Sequence, residues 1–200
     1  MATWSSGNRY LSTEEMQYNA QLVQVYGLNA GWSKNAICAI LGNMESESGI
    51  NPGIWENLTP GRGGYGLVQW TPYTKYSQWA GSGWQNNGDK EMDRIAWEAA
   101  NNEQWFYNSQ IQESPPYDFI DFLHDSTTPI ADMANYFLWF YEHPANPIQP
   151  WRGEQALEWE AFLNWDDPPE PPPDPPEPPE PPEPQFPYWL LFKFRGRGIK

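Results

Sequence analysis

Two carboxyls and one amide hold most of the chemistry in this sequence. Glu45 and Glu47 sit in the run Gly42-Asn43-Met44-Glu45-Ser46-Glu47-Ser48-Gly49-Ile50-Asn51-Pro52, and Gln69 comes near the end of Gly64-Tyr65-Gly66-Leu67-Val68-Gln69-Trp70. An acid at the end of an apolar helix, then a glycine-rich turn, an amide and aromatic rings, suits the cleavage of a sugar chain. A glycosidic bond breaks when a carboxylic acid that is still protonated near neutral pH gives its proton to the leaving oxygen. The negative end of a helix disfavours a carboxylate, and burial beside Met44 and the aromatic loop acts in the same direction. Ile37, Ile40, Leu41, Met44 and Ser48 fall on one helical face. Glu45 and Glu47 lie about 80° to either side of that stripe. Periodicity therefore does not choose between them.

Other chemistries fit less well. Gly61-Arg62-Gly63-Gly64-Tyr65-Gly66 is glycine-rich, but no Gly-Lys-Ser/Thr follows it as a phosphate loop would require. It reads better as a turn in which backbone approaches a ligand closely. Trp55, Tyr65, Trp70, Tyr73, Tyr76, Trp79 and Trp84 crowd one stretch, where flat rings with polar handles suit sugar faces. About half of them are expected to be core, with Tyr65 and Trp70 the best ligand walls. Cys38 stands among Ile37, Ala39 and Ile40, where a thiol behaves as a small buried hydrophobe rather than a nucleophile. One cysteine and two histidines, His124 and His143, exclude an internal disulfide and leave little for a metal centre. No metal and no cofactor is expected.

These residues need elements to hold them. Ser12-Thr13-Glu14-Glu15 has the capping-box spacing and predicts a helix to about Tyr26, stopped at Gly27. A second helix is expected from Lys34, ended by Gly49 and kept from regrowing by Pro52. Residues 53–90 read as loop or short strand. Helical periodicity returns over residues 90–106. Thr128-Pro129 offers a cap and first-turn proline for a helix over 130–142, with Met133, Ala134, Phe137 and Tyr141 on one face. A last helix is expected over about 153–164. The fold class is mainly α, an α+β arrangement of a helical domain with a small β-like or irregular lobe.

Thirteen of the 22 prolines lie between Pro168 and Pro187, so the globular part is expected at 1–167. That part holds 21 acidic and seven basic side chains, a net charge of −14, which argues against a nucleic-acid surface. Residues 168–184 repeat Pro-Pro-Glu and favour polyproline II, an acidic spacer of roughly 50 Å at about 3.1 Å per residue. The tail at 185–200 carries Phe186, Tyr188, Trp189, Leu190, Leu191, Phe192 and Phe194, then ends basic. Residues 186–200 suit contact with a membrane interface or docking into another protein with the prolines as tether; the sequence leaves both open. The start, Met1-Ala2-Thr3-Trp4-Ser5-Ser6, lacks the charged and apolar pattern of a secretory signal, and no apolar stretch approaches the roughly 20 residues of a spanning helix.

Glu47-Ser48-Gly49-Ile50-Asn51-Pro52 and Gly66-Leu67-Val68-Gln69 resemble the Glu-Ser-x-x-Asn/Asp-Pro and Gly-Leu-x-Gln signatures of the phage tail lysozyme family, a relative of goose-type lysozymes and soluble lytic transglycosylases. The likeness covers about 12–165, and Tyr141-Glu142-His143-Pro144 is similar to the family's late Tyr-Glu-x-Pro. The resemblance selects Glu47 over Glu45 as the acid. It implies cleavage of peptidoglycan between N-acetylmuramic acid and N-acetylglucosamine, with Ser48, Tyr65, Gln69 and Trp70 lining the sugar groove. Tyr141 is implied either to orient the acid or to close the core behind it, and Glu56 is a weak candidate for a second carboxylate. Hydrolysis and transglycosylation stay open. The implied setting is a phage virion whose tail digests the host wall, with other tail proteins as neighbours. The rival reading keeps the fold as a wall-binding or structural tail module that does not cut, because an acidic protein and an anionic wall repel.

Overall fold

The computed structural model describes residues 3–166 and Pro168. The spacer beyond Pro168 and the tail at 185–200 lie outside the described residues. Within them the chain is mainly helical: α1 (Thr13–Asn29), α2 (Lys34–Ser48), α3 (Thr74–Ala80), α4 (Gly88–Ala100), α5 (Phe119–His124), α6 (Ile130–Phe137) and α7 (Trp151–Phe162). None of these helices is long and apolar enough to cross a membrane.

Local hydrogen bonds set the helix ends. The capping box of α1 is complete: Ser12 Oγ accepts from the Glu15 amide while the Glu15 carboxylate accepts from the Ser12 amide. Ser33 caps α2 through Oγ alone, accepting from the Ala36 amide, and Gly49 ends the helix in the left-handed region at φ 62°. Asn87 caps α4, accepting from the Lys90 amide.

α2 is the axis of the fold. The expected apolar stripe is too narrow a description, because every residue from Ala36 to Met44 is buried. A helix covered on all sides has no polar face for periodicity to reveal. α6 and α7 pack against it. The approach of α7 requires Gly42, since a Cβ there would run into the Arg152 carbonyl oxygen and the Ala156 amide. That close crossing carries the first turn of α7 to the C-terminal end of α2.

Other expectations shift. α1 runs two residues past Gly27, to Asn29. α4 stops at Ala100 rather than near Phe106, where Asn101 and then Asn102 (φ 49°) turn the chain. The 130–142 helix is α-helical only to Phe137 and continues as a π turn over Leu138–Glu142, closed by His143 at φ 50°. The lobe at 53–90 contains α3, which has no side-chain cap and is held by burial of Tyr76. Its strand-like character is one antiparallel bridge, Trp55 to Tyr65, with Glu56 N donating to Gly64 O and Gly66 N to Ile54 O.

Candidate active site

Between lobe and helical body lies a cleft of about 750 Å³. The end of α2 brings Glu47 to it, the lobe brings Trp55, Glu56, Gln69 and Trp70, and the π turn brings Tyr141 and Glu142. Glu45 goes elsewhere. Its Oε2 accepts from Trp159 Nε1 at 2.8 Å on the α7 side of α2, where burial raises its carboxyl above the ordinary value. The two acids that periodicity could not rank thus face different surroundings.

Glu47 keeps 21% side-chain exposure and meets a cation, Arg152, whose Nη2 donates to Glu47 Oε1 at 2.6 Å. The guanidinium is fixed on its other edges as well: Nη1 donates to Asn43 Oδ1 at 3.0 Å and Nε to Gln149 Oε1 at 2.8 Å. Three donors committed to three acceptors make Arg152 a rigid fork rather than a swinging charge. Sequence reasoning missed it. The only signal was a lone arginine in a sparsely basic domain, 105 positions from its partner.

Glu142 is another carboxyl of the cleft; the sequence places it in the late Tyr-Glu-x-Pro run but gives it no role. Its Oε1 is sealed from solvent and has no hydrogen-bond partner among the described residues. Burial pushes its carboxyl well above the ordinary value, and the nearby Glu47 charge acts in the same direction against the opposing Arg152.

The motif residues around Glu47 are largely structural. Ser48 is buried; its Oγ lies 2.9 Å from Leu67 O and 3.0 Å from Met44 O and accepts from the Asn51 amide. It ties the end of α2 to the Gly66-Leu67 turn and does not line the cleft, contrary to the expected sugar contact. Asn51 donates to Gly7 O and Arg9 O and accepts from Gly53 N.

The turn itself rests on Glu91. Leu67 N donates to Glu91 Oε2 at 2.6 Å, and Gly66 adopts φ 80° with no room for a Cβ above that carboxyl. Burial drives Glu91 well above its ordinary value. Gln69 follows with φ 50°, its amide nitrogen donating to Gly66 O and Ile54 O while the side chain borders the cleft.

Most of the aromatic crowd is the core of the lobe. Tyr65 is 1% exposed, its ring 4.8 Å from those of Trp55 and Trp84, and its hydroxyl accepts from Asn86 N. It stands behind the cleft, which corrects its expected place on the wall. Trp70 borders the cleft, stacks on Tyr76 and donates through Nε1 to Glu98.

Tyr141 gives its hydroxyl to the same carboxyl, at 2.5 Å to Glu98 Oε2, so it closes the core and does not hold Glu47. Glu98, on α4, also accepts from Arg94. One buried carboxyl thus fastens the lobe (Trp70) and the π turn (Tyr141) to the helical body. Glu56 lines the cleft, but its Oε2 accepts from Gly64 N at 2.9 Å and braces the loop. Cys38 is fully buried, its thiol pushed up to about 12 by burial. Among the described residues no group of three or more metal-ligating side chains comes together.

A cleft with a fixed ion pair and a second, sealed carboxyl can donate and recover a proton. A family model described as phage tail lysozyme matches residues 18–163. The chain is also 49% identical over 162 residues to Morphogenesis protein 1 of Bacillus phage B103, across 77% of this chain and 41% of that relative. The chain thus spans about two-fifths of that relative's length.

Proposed function

The chain belongs to the phage tail lysozyme family, and from this we infer that it cuts the glycan strands of bacterial peptidoglycan, as part of a phage virion. The observation that carries the reading is the Glu47 carboxyl, rigidly held by Arg152 at the wall of the cleft between lobe and helical body. Glu47 is the proposed proton donor to the oxygen between N-acetylmuramic acid and N-acetylglucosamine. Gln69 is the proposed sugar contact, offering an amide at the cleft, while Trp70, only 3% exposed, is corrected from an expected aromatic wall to a support behind the cleft. Ser48 and Tyr65 serve the site from behind, by fixing the turn that presents Gln69. Tail proteins are the proposed neighbours and local opening of the wall during genome delivery the proposed purpose.

The bond breaks with its electron pair on the leaving oxygen, which takes the proton. The anomeric carbon then accepts either water, giving a hydrolase, or a hydroxyl of the same sugar, giving an anhydro end. Purified peptidoglycan incubated with the full chain tests the reading: new saccharide ends should appear, and mass spectrometry of them distinguishes the two outcomes. Absence of new ends with folded protein would favour the rival, a wall-contacting or structural tail module, which the net charge of −15 supports.

A further inference from the structure

We propose that Phe106 and Tyr107, on the loop between α4 and α5, form a stacking platform in the cleft, on which the flat face of a sugar ring of the glycan strand rests. The proposal deepens the functional reading and rests on its substrate, the glycan strand, rather than on the cut itself. Besides His143, six aromatic side chains border the cleft: Tyr10, Trp55, Trp70, Phe106, Tyr107 and Tyr141. Trp55, Trp70 and Tyr141 are buried, so their faces are already spent on the core. Tyr10, Phe106 and Tyr107 are exposed, the last two at 52% each. Stacking on a sugar needs an open ring face, which leaves these three.

Two of the three are built to keep such a face open. Trp105, just before the pair, is buried; its ring stacks on Phe119 at 4.8 Å and its Nε1 donates to Tyr117 O at 2.7 Å. Asn108, just after the pair, is buried as well; its Nδ2 donates to Trp139 O and its Oδ1 accepts from Gln110 N. Between these anchors the Phe106 amide donates to Phe140 O. The backbone is thus fixed on both sides while the two side chains stay in solvent. Phe106 is braced further, because the His143 imidazole lies 4.2 Å from its ring at 14° and covers one face. Nε2 of that imidazole donates to Phe140 O at 2.9 Å, which ties the brace to the π turn. A ring with one face covered and half its surface exposed presents the other face outward. Tyr10, 76% exposed, carries no comparable ring contact among the described residues.

A lone exposed ring needs no explanation, but two adjacent rings pinned at the edge of the cleft that holds Glu47 do. Their surroundings favour sugar over an apolar protein partner. Gln104, Ser109 and Gln110 flank the pair at the cleft, with Lys75, whose Nζ is 3.4 Å from Gln104 Oε1. Amides, a hydroxyl and an ammonium around flat rings suit a ligand that is apolar on its ring faces and hydroxylated at its rim. Ordering the loop in advance lowers the entropic cost of that contact.

The test is calorimetric titration of the full chain carrying Glu47→Gln, which keeps the probe intact. The probe is soluble, peptide-free oligosaccharide of alternating N-acetylglucosamine and N-acetylmuramic acid. Phe106→Leu and Tyr107→Leu keep apolar bulk but remove the flat ring, and each should raise Kd about two- to tenfold. Phe106→Tyr keeps the ring and should stay within about twofold of the parent. With Glu47 restored, the Leu variants should raise KM on peptidoglycan more than they lower kcat. An unchanged Kd in the folded Phe106→Leu/Tyr107→Leu double variant would overturn the proposal and leave the rings to a protein neighbour. So would a parent that does not bind the probe, or a Phe106→Tyr variant weakened as much as Phe106→Leu. A wild type that cuts peptidoglycan beside a double variant that binds normally sinks the platform and spares the cleavage reading. A wild type that cuts nothing, with ring-dependent binding kept, sinks the cleavage reading and leaves the platform as a wall contact.

Discussion

Replacing Arg152 with methionine removes the one cation that meets Glu47 while keeping much of the apolar stem. Three acceptors lose their donor at once: Glu47 Oε1, Asn43 Oδ1 and Gln149 Oε1. Breaking a buried pair by deleting one partner costs about 3–5 kcal/mol because the remaining charge is left uncompensated. Arg152 is 6% exposed but Glu47 is 21%, so solvent screens part of the loss and the lower end applies, about 3 kcal/mol. For a domain of this size the corresponding fall in Tm is about 6–12 °C. Calorimetry or urea denaturation of both single variants and the Glu47→Gln/Arg152→Met double variant is the assay. The double variant carries no stranded charge and should be less destabilised than the sum of the singles, with a coupling of about 1–3 kcal/mol. A loss below about 0.5 kcal/mol in Arg152→Met, or strictly additive effects, would refute the view that this ion pair anchors the site.

Further outcomes follow from the packing and the buried acids. Gly42→Ala pushes α7 away from α2 at a backbone contact and should cost about 1–3 kcal/mol by urea denaturation; it should also lower glycan cleavage, because α7 carries Arg152. Unchanged stability would mean that the crossing is looser than it looks. Glu91 is held above its ordinary value of 4.5 by burial, so the folded chain keeps a proton that the unfolded chain releases. Its contribution is complete below pH 4.5 and is lost as pH rises through the folded value, at up to about 1.4 kcal/mol per pH unit. Urea denaturation at pH 5 and pH 7 should show a larger loss for wild type than for Glu91→Gln, and equal losses would contradict this.

What the sequence made legible was local. The Ser12–Glu15 box and the Ser33 and Gly49 ends of α2 are hydrogen bonds or backbone states between near neighbours. Residue types reveal such features directly. α3 and α5 were not legible, because helices of seven and six residues have no stability of their own and form on burial of Tyr76 or of Phe119, Phe122 and Leu123.

The site divided along the same line. The Glu47 and Gln69 runs could be read, and both residues border the cleft. The partners that give them surroundings, Arg152, Glu142, Glu91 and Glu98, come from distant elements. Ser48 and Tyr65 look like ligand groups by type, yet the hydroxyls of both are taken up by backbone far along the chain. A residue type shows which hydrogen bonds are within its capacity; only the fold shows whether they are already made.

The most direct measurement is release of new saccharide ends from purified peptidoglycan by the wild type and by Glu47→Gln, with folding of both verified by circular dichroism. The account predicts cleavage by the wild type and a loss of about 10²–10⁴-fold in Glu47→Gln, the share general acid catalysis contributes. A folded Glu47→Gln variant that cuts at the wild-type rate, or a folded wild type that cuts nothing, would contradict it.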